Sequence, residues 1–483
     1  MARSSLDRYE RIRPLGEGGA GRVWLVRDRL LGGRLVALKA LGGGDTARSR
    51  SLRDEFFALA TLRHPNLAEV YEFHDGESPC FTLEYVDGTD LAAFGRSAPA
   101  PVLLELIAEA LRALAFLHDF TVFHRDVKPA NLLVRREPRL GSRLVLLDFG
   151  LALIDGTREA GPAGTLPYLA PELFQGTPAG RRSDLYGLAA VIHEVVLGEP
   201  PVSLEDDRAI GDFVTRVTSG ERRPRVWPDR VPDGLRLWLE MLLATEPGAR
   251  PASAAEALAR LNSLVGTGFP AETHLTRTAR LESGAPEGRD ETLCSLTDRI
   301  GDARGPDVIL LAGEAGSGKT RLLAHLAARG IRDGLAVRWH LGPGNEPATG
   351  SDRATLVCLD DPERLGSETV DGLCRLARGE SRADGRVIAT VRAREVGEPT
   401  LRRLLDDREL LANLAVVELP PLDRRGIAAL AGRLFPGETA DSARVAWLEQ
   451  HSEGNAAALV ALLVDEAWEN RRTLAAPVAV RQS

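Results

Sequence analysis

The sequence predicts a chain in two parts: an α+β unit of two lobes, then an α/β domain with a mostly parallel sheet. Three observations predict it. Short alternating apolar runs separated by Gly-rich turns run from Tyr9 to about Tyr85. From about Pro101 to Leu264 the apolar period becomes helical. Beyond about residue 290, apolar runs alternate with helical patterns, as in a parallel sheet with helical crossovers.

In the first lobe the strand patterns are Val23–Val26, Leu35–Leu38, Val70–Phe73 and Phe81–Tyr85, with one helical pattern from Leu52 to Leu62. The second lobe begins with Leu103, Leu106, Ile107, Ala110, Leu111 and Leu114 on one helix face. Gly266 to about Asp290 carries Gly, Pro, Thr and Glu and reads as a linker. After it come strand patterns at Asp307–Ala312, Leu335–Leu341, Thr355–Leu359, Arg386–Val391 and Val416–Leu419, with a helix near Arg321–Arg329. The expected division is residues 1–265 for the two-lobed domain (small lobe about 9–86, large lobe about 87–265), 266–290 for the linker, 291–470 for the α/β domain and 471–483 for a tail. No internal repeat of solenoid period is present.

Composition narrows the function. The 483 residues suit two or three domains, each with its own core. With 44% hydrophobic and 27% charged residues the chain is expected to fold. A net charge of −8 argues against nucleic acid and anionic membrane as partners. Cys80, Cys294, Cys358 and Cys374 have no C-x-x-C spacing, which disfavours a disulfide scaffold or a zinc site. The first residues lack the apolar stretch of a signal peptide, and the apolar run around Val102–Phe120 is broken by Glu105, Glu109 and Arg112, so a cytoplasmic location is expected. Of 61 basic residues only Lys39, Lys128 and Lys319 are lysine. Where nearly every cation is Arg, a retained lysine invites a local reason, such as a compact ammonium on a flexible stem.

Four motifs follow in order. Gly16-Glu17-Gly18-Gly19-Ala20-Gly21-Arg22-Val23 is a glycine-rich loop between strand patterns, either an ordinary hairpin or a close approach to phosphates. Val36-Ala37-Leu38-Lys39 ends a buried-looking strand in a lysine, which either reaches water or, paired with Glu55 on the next helix, holds phosphates. His124-Arg125-Asp126-Val127-Lys128-Pro129-Ala130-Asn131 puts a carboxylate, an ammonium and an amide within six residues. Asp148-Phe149-Gly150 follows the apolar strand Leu144–Leu147.

As a set, these motifs resemble protein kinases, specifically the bacterial relatives of eukaryotic Ser/Thr kinases, from about Tyr9 to Leu264. The resemblance implies the bilobal kinase fold, with an antiparallel sheet plus helix and then a helical lobe. It assigns Asp126 to the acceptor hydroxyl, Lys128 to the γ-phosphate, Lys39 with Glu55 to ATP, and Asn131 and Asp148 to Mg²⁺. Leu15, Gly16, Glu17, Gly18, Gly19, Ala20, Gly21, Val23 and Ala37 would line the ATP site. Leu83 would be the gatekeeper, and Glu84 and Val86 would offer backbone groups to adenine. Asp184 would brace the catalytic loop, and Arg250 would pair with Glu172 of Ala170-Pro171-Glu172. The segment from Asp148 to Glu172 has only Thr157 and Thr165 as hydroxyl residues. Thr165 matches a hydrogen-bonding threonine of the family, and Arg125 before Asp126 is the arrangement that in many kinases awaits a phosphate on this segment, so Thr157 is the expected regulatory phosphosite.

A second set lies in the α/β part. Gly313-Glu314-Ala315-Gly316-Ser317-Gly318-Lys319-Thr320 matches the P-loop (Walker A) pattern G-x-x-x-x-G-K-[ST], after a strand and before a helix. Backbone N–H groups of Gly313, Gly316, Ser317 and Gly318 suit phosphate, Lys319 the β/γ oxygens, and the Thr320 hydroxyl Mg²⁺. Asp360, ending the strand Thr355–Leu359, is either a second Mg²⁺ contact or an ordinary helix start. Arg392 is a γ-phosphate sensor or a surface arginine, and Gly454-Asn455 is a further nucleotide-proximal candidate. The stretch from about Asp290 to Glu469 resembles the regulatory ATPases of the STAND branch of AAA+-like proteins. It departs from them in the short Gly/Pro-rich stretch between Leu341 and Thr355 and in Ala456 after Gly-Asn. Together the resemblances imply ATP at two sites with Mg²⁺, protein substrates bearing Ser or Thr, and self-association through the ATPase domain. The competing reading is a signalling scaffold whose kinase part is catalytically weak.

Overall fold

A hairpin with a slipped register opens the fold. The protein is described by a computed structural model over residues 8–18, 21–29, 32–40, 52, 56, 59–74, 79–137, 141–147, 153–154, 164–203, 210–221, 226–302, 304–333, 335–340, 355–360, 367–380, 385–392, 402, 406, 413–434 and 442–475. Strands β1 (Tyr9–Gly18), β2 (Gly21–Asp28), β3 (Arg34–Ala40), β4 (Val70–His74) and β5 (Cys80–Glu84) form one sheet in the order β1-β2-β3-β5-β4. β1 pairs antiparallel with β2, β2 with β3, and β4 with β5. Pro14 faces Trp24 and Gly16 faces Val23, which leaves Leu15 as the extra residue of a bulge. A proline is tolerated in a strand at such an interruption, where a ladder bond is already missing. The period of two sends Val26, Val36, Leu38 and Cys80 to one core with Tyr9. The helical residues Leu52 and Phe56 join Phe73 and Phe81 in another.

The next elements are β6 (Thr89–Asp90), α1 (Ala100–Asp119), β7 (Val122–Phe123), β8 (Leu132–Glu137), β9 (Gly141–Leu146), β10 (Leu153–Ile154), α2 (Arg181–Leu197), α3 (Ile210–Ser219), α4 (Asp233–Leu242) and α5 (Ala254–Val265). The expected apolar face of α1 is buried in full. Leu104, Ala108, Ala113 and Leu117 are buried as well, so the helix runs through its lobe rather than over it. Two of its charges are tied down: Glu109 accepts the Leu144 N–H at 2.7 Å, and Arg112 Nε donates to Pro270 O at 3.0 Å.

The segment expected as a linker contains a nine-residue helix, α6 (His274–Glu282). Gly, Pro and Thr on either side hid a short helical run between turn residues. After it come α7 (Asp290–Gly301), β11 (Val308–Gly313), α8 (Lys319–Arg332), β12 (Ala336–His340), β13 (Thr355–Leu359), α9 (Ser367–Ala377), β14 (Gly385–Arg392), β15 (Leu414–Glu418), α10 (Arg424–Leu434), α11 (Ser442–Ser452) and α12 (Ala456–Ala475). The sheet order is β12-β13-β14-β11-β15, and every neighbouring pair is parallel. Alternation again decides the packing. Val308, Leu310 and Ala312 of β11 enter a core with Val370 and Leu373 of α9, while Ile309 and Leu311 face Leu322 and Leu326 of α8. Both faces are covered, which explains the unbroken apolar run of β11.

The chain forms two compact units. One comprises the residues up to Arg63, Val70–Leu83, and Arg277 onward; the other comprises His64–Glu69 and Glu84–Thr276. Among the described residues no helix is long and apolar enough to cross a membrane.

Candidate active site and candidate phosphate loop

The loop between β7 and β8 is held by one buried carboxylate. Asp184, on α2, accepts the His124 N–H at 2.9 Å and the Arg125 N–H at 2.8 Å, and His118 Nε2 lies 2.9 Å from it. These bonds hold Arg125 at φ 67°, a left-handed conformation that a non-glycine residue takes only under constraint. Burial alone raises the Asp184 carboxyl. The His118 hydrogen bond, with the Arg125 N–H, outweighs this and holds it below the ordinary aspartate value.

Asp126 is thereby presented with its two oxygens on separate partners. Lys128 Nζ lies 2.5 Å from Oδ2, while Thr165 donates its hydroxyl at 2.9 Å and its N–H at 3.0 Å to Oδ1. Asn131 Nδ2 donates to Asp126 O at 2.8 Å. That bond fixes the amide plane and turns its oxygen away from Asp126, and among the described residues no donor reaches that oxygen. Thr165 approaches because Gly164 has φ 132°; a Cβ there would stand 2.6 Å from Leu169 and 2.9 Å from Arg125 O. The Leu147 N–H donates to Asn131 O at 2.8 Å, and His124 Nε2 is 2.9 Å from Leu147 O. The end of the strand pattern Leu144–Leu147 is thus tied to the loop. Glu172 and Arg250 are buried partners of each other.

The small-lobe candidates occupy matching strand positions. Val23 and Lys39 are directly opposed across β2 and β3, and Ala37 lies two residues earlier on the face of Lys39. Lys39 is buried, with Nζ 5.9 Å from the Phe81 ring centroid. Leu15 is the bulge residue and Gly16 the next paired one; Glu17 and Gly18 pair with Arg22 and Gly21. Leu83 faces Val70, the Glu84 carboxylate is ion-paired with Arg135, and Val86 is buried. Gly19, Ala20, Glu55, Asp148 and Thr157 lie outside the described residues.

The loop from Gly313 to Gly318 joins β11 to α8 with Gly316 at φ 77° and Gly318 at φ 96°. Both are conformations that glycine takes without strain. Lys319 Nζ donates to Gly313 O at 2.9 Å and Glu314 O at 2.6 Å, wrapping its own loop. The Thr320 hydroxyl donates to Asp360 at 3.0 Å, and Thr390 donates to the same oxygen at 2.7 Å. Asn455 Nδ2 donates to Ala315 O at 2.8 Å, while its Oδ1 caps α12 by accepting the N–H groups of Ala457 and Ala458. Arg392 is the register partner of Gly313.

Sequence reasoning missed Thr390 and Arg289. Arg289 is buried and donates to Ser317 O at 3.3 Å and Pro420 O at 2.6 Å. One arginine among so many in an apparent linker carries no sequence signal. Thr390 had one: a polar residue in the apolar run Val387–Val391.

The protein kinase domain family matches residues 9–261, just over half of the chain. The chain belongs to the protein kinase family. Protein kinases use ATP and Mg²⁺, and these are accordingly the cofactors of the kinase domain. The chain is 35% identical over 306 residues to serine/threonine-protein kinase PknB of Mycobacterium leprae, covering 58% of this chain and 47% of that one. It is 36% identical over 273 residues to the DNA damage-responsive serine/threonine-protein kinase RqkA of Deinococcus radiodurans, covering 53% and 39%. It is 32% identical over 269 residues to serine/threonine-protein kinase pkn3 of Myxococcus xanthus, covering 52% and 48%. The match spans less than half the length of each of these relatives. The kinase motifs suit the two cofactors: the Asn131 amide spends its NH2 group on Asp126 O, which leaves its oxygen as the donor, and oxygen is the donor that Mg²⁺ prefers.

Proposed function

We propose that the chain is a Ser/Thr protein kinase, transferring the γ-phosphoryl group of ATP to protein hydroxyls, with a kinase domain at 1–265. The observation that carries this is the division of Asp126 between Lys128 on one oxygen and Thr165 on the other. Charge-assisted bonds to both of its oxygens keep the carboxylate aimed. A carboxylate fixed in this way orients the acceptor hydroxyl and takes its proton as that oxygen bonds the phosphorus and the bond to ADP breaks. The Lys128 ammonium offsets charge on the transferred group, and Lys39 takes the α- and β-phosphates. Asn131 and Asp148 would hold Mg²⁺, which supplies charge neutralisation when bound. Glu55 would pair with Lys39, and Thr157 would be the regulatory phosphosite. A lysine two residues after the catalytic aspartate favours Ser or Thr over Tyr as acceptor.

Residues 291–470 are best read as a P-loop nucleotide-binding domain that serves as a regulatory switch or assembly module. The Thr320 hydroxyl and Asp360 carboxylate, 3.0 Å apart where β11 and β13 end, support that reading, because a hydroxyl beside a carboxylate is the oxygen pair that holds Mg²⁺ at a phosphate loop. The loop also lies beyond the carboxyl ends of parallel strands, where open α/β sheets bind ligands.

The kinase reading is tested by incubating wild type and Asp126→Asn with radiolabelled ATP and Mg²⁺. Loss of protein-bound phosphate in the variant is expected; equal incorporation would sink the catalytic assignment.

A further inference from the structure

Directly after the helical residues Leu59 and Ala60, three hydrogen bonds join the chain to the turn that follows α6. The Gly284 N–H donates to Thr61 O at 2.9 Å, the Arg63 N–H to Ser283 Oγ at 2.9 Å, and Ser283 Oγ to Arg63 O at 3.2 Å. Ser283 is fully buried. The same turn is gripped from the other side by the first turn of α8. Arg321 donates through Nη1 to Leu281 O at 2.7 Å and through Nη2 to Ser283 O at 2.7 Å and Ala285 O at 3.2 Å. Arg433 of α10 adds bonds to Ser283 O and Ala285 O and pairs with Glu287. Leu52 and Phe56 share one continuous core with Leu293, Leu296, Leu322 and Leu326.

Arg321 is the residue after Thr320 and the second after Lys319. A phosphate held at the start of α8 would fix the first turn of that helix, and with it the base of the Arg321 side chain. Ser283 carries the fixed turn to the Arg63 backbone, and the neighbouring Gly284 N–H carries it to Thr61. The kinase reading places Glu55, the partner of Lys39, on the helical segment that ends there. A ligand favours the arrangement it orders, by the difference in its affinity for the ordered and loose forms.

We propose that Arg321 and Ser283 are positioning residues through which nucleotide at the 313–320 loop raises the rate of the kinase domain, by fixing the end of its small-lobe helix. This rests on the two readings under Proposed function. It makes the attached domain an activator and gives the transmitting contacts.

The test is a double-mutant cycle on the full chain with Mg-ATP and an acceptor peptide, using wild type, Lys319→Ala, Ser283→Ala and the double variant. Nucleotide stoichiometry is measured on each. Lys319→Ala is expected to lose one bound nucleotide per chain and to lower kcat about 5-fold or more, the lower range of measured couplings. Ser283→Ala should keep both nucleotides, lower kcat to a similar level and leave the peptide KM unchanged. The double variant should be no slower than Ser283→Ala. Arg321→Gln, which keeps the buried serine, should behave as Ser283→Ala does and so separates coupling from misfolding. An equal effect of Lys319→Ala in both backgrounds overturns the relay. So does an unchanged kcat in a Lys319→Ala chain that has lost its nucleotide. Unchanged stoichiometry in Lys319→Ala, or a wild type without phosphotransfer, overturns the underlying reading and this inference with it.

Discussion

Arg250 donates one terminal nitrogen to each carboxylate oxygen of Glu172, both at 2.8 Å. The remaining donors reach Ala244 O, Arg182 O and Thr245 O, so all five guanidinium N–H groups are used in a side chain that is fully buried. Ser183 adds its hydroxyl to the same Glu172 oxygen as Nη1. A forked pair of this kind cannot be reproduced by an ammonium.

Arg250→Lys is therefore expected to destabilise the protein by about 3 kcal/mol, the usual cost of breaking a buried pair from one side. Urea unfolding of the variant beside wild type measures it. An unchanged midpoint would show that an ammonium serves there as well as the fork.

Asp184→Asn keeps the shape of the side chain but replaces one acceptor by an NH2 group, which then faces the N–H of either His124 or Arg125. Each donor left unsatisfied costs about 1–3 kcal/mol, and the loop carrying Asp126 loosens. Expected is a fall in kcat of roughly 10-fold or more at similar KM for ATP, measured by peptide phosphorylation. The depressed carboxyl also adds stability above its ordinary value of 3.8, which is lost as pH falls below it. The amide variant should lack that acid-side loss.

The Thr165 hydroxyl can be separated from its backbone contribution. Thr165→Val keeps the N–H bond to Asp126 but removes the hydroxyl bond, worth about 1.5–3 kcal/mol to a charged acceptor, so kcat should fall roughly 10- to 100-fold. Thr165→Ser should recover most of it. Equal activity in the valine variant would remove Thr165 from the positioning of Asp126.

His74 supplies a pH signature in the small lobe. Its Nε2 lies 2.9 Å from the Tyr9 hydroxyl, with Glu72 beside it and Arg8 bridging Asp28 and Glu72. Burial, aided by the Arg8 charge, lowers His74 from 6.5 to about 4. The unfolded chain therefore binds more protons between pH 6.5 and 4, and this contribution to stability declines as pH falls through that window. Glu72 is raised by burial and acts in the opposite sense, so the comparison must be with a variant. Wild type should lose about 2 kcal/mol more than His74→Gln between pH 7 and pH 5. Parallel stability curves for the two proteins would exclude His74 as the source.

Much of this was legible in the sequence because chemistry and periodicity coincided. The alternation in β3 placed Ala37 and Lys39 on one face, and the spacing of Asp126, Lys128 and Asn131 placed three functional groups on one loop. Gly454-Asn455 stood out as a motif, and Asn455 Nδ2 donates to Ala315 O in the loop between β11 and α8. What escaped notice were contacts whose meaning depends on tertiary partners. Arg289 and Arg321 bond backbone carbonyls, an acceptor every residue carries, so nothing in the sequence marks them. Ser283 lies among Glu, Gly and Pro, where turn composition masked both the helix before it and its own burial.

The stretch matched by the family and the stretch that folds together are different lengths of chain. The family match stops at residue 261, yet Ser283 and Gly284 supply the hydrogen bonds of Thr61 and Arg63. Leu52 and Phe56, well inside the matched region, are enclosed together with Leu293 and Leu322 far outside it. A gene segment cut where the family match stops would therefore encode every kinase motif but leave one wall of the small lobe uncovered. Any recombination that moved the catalytic module to a new partner would have had to carry the region around 283 along, or rebuild that wall.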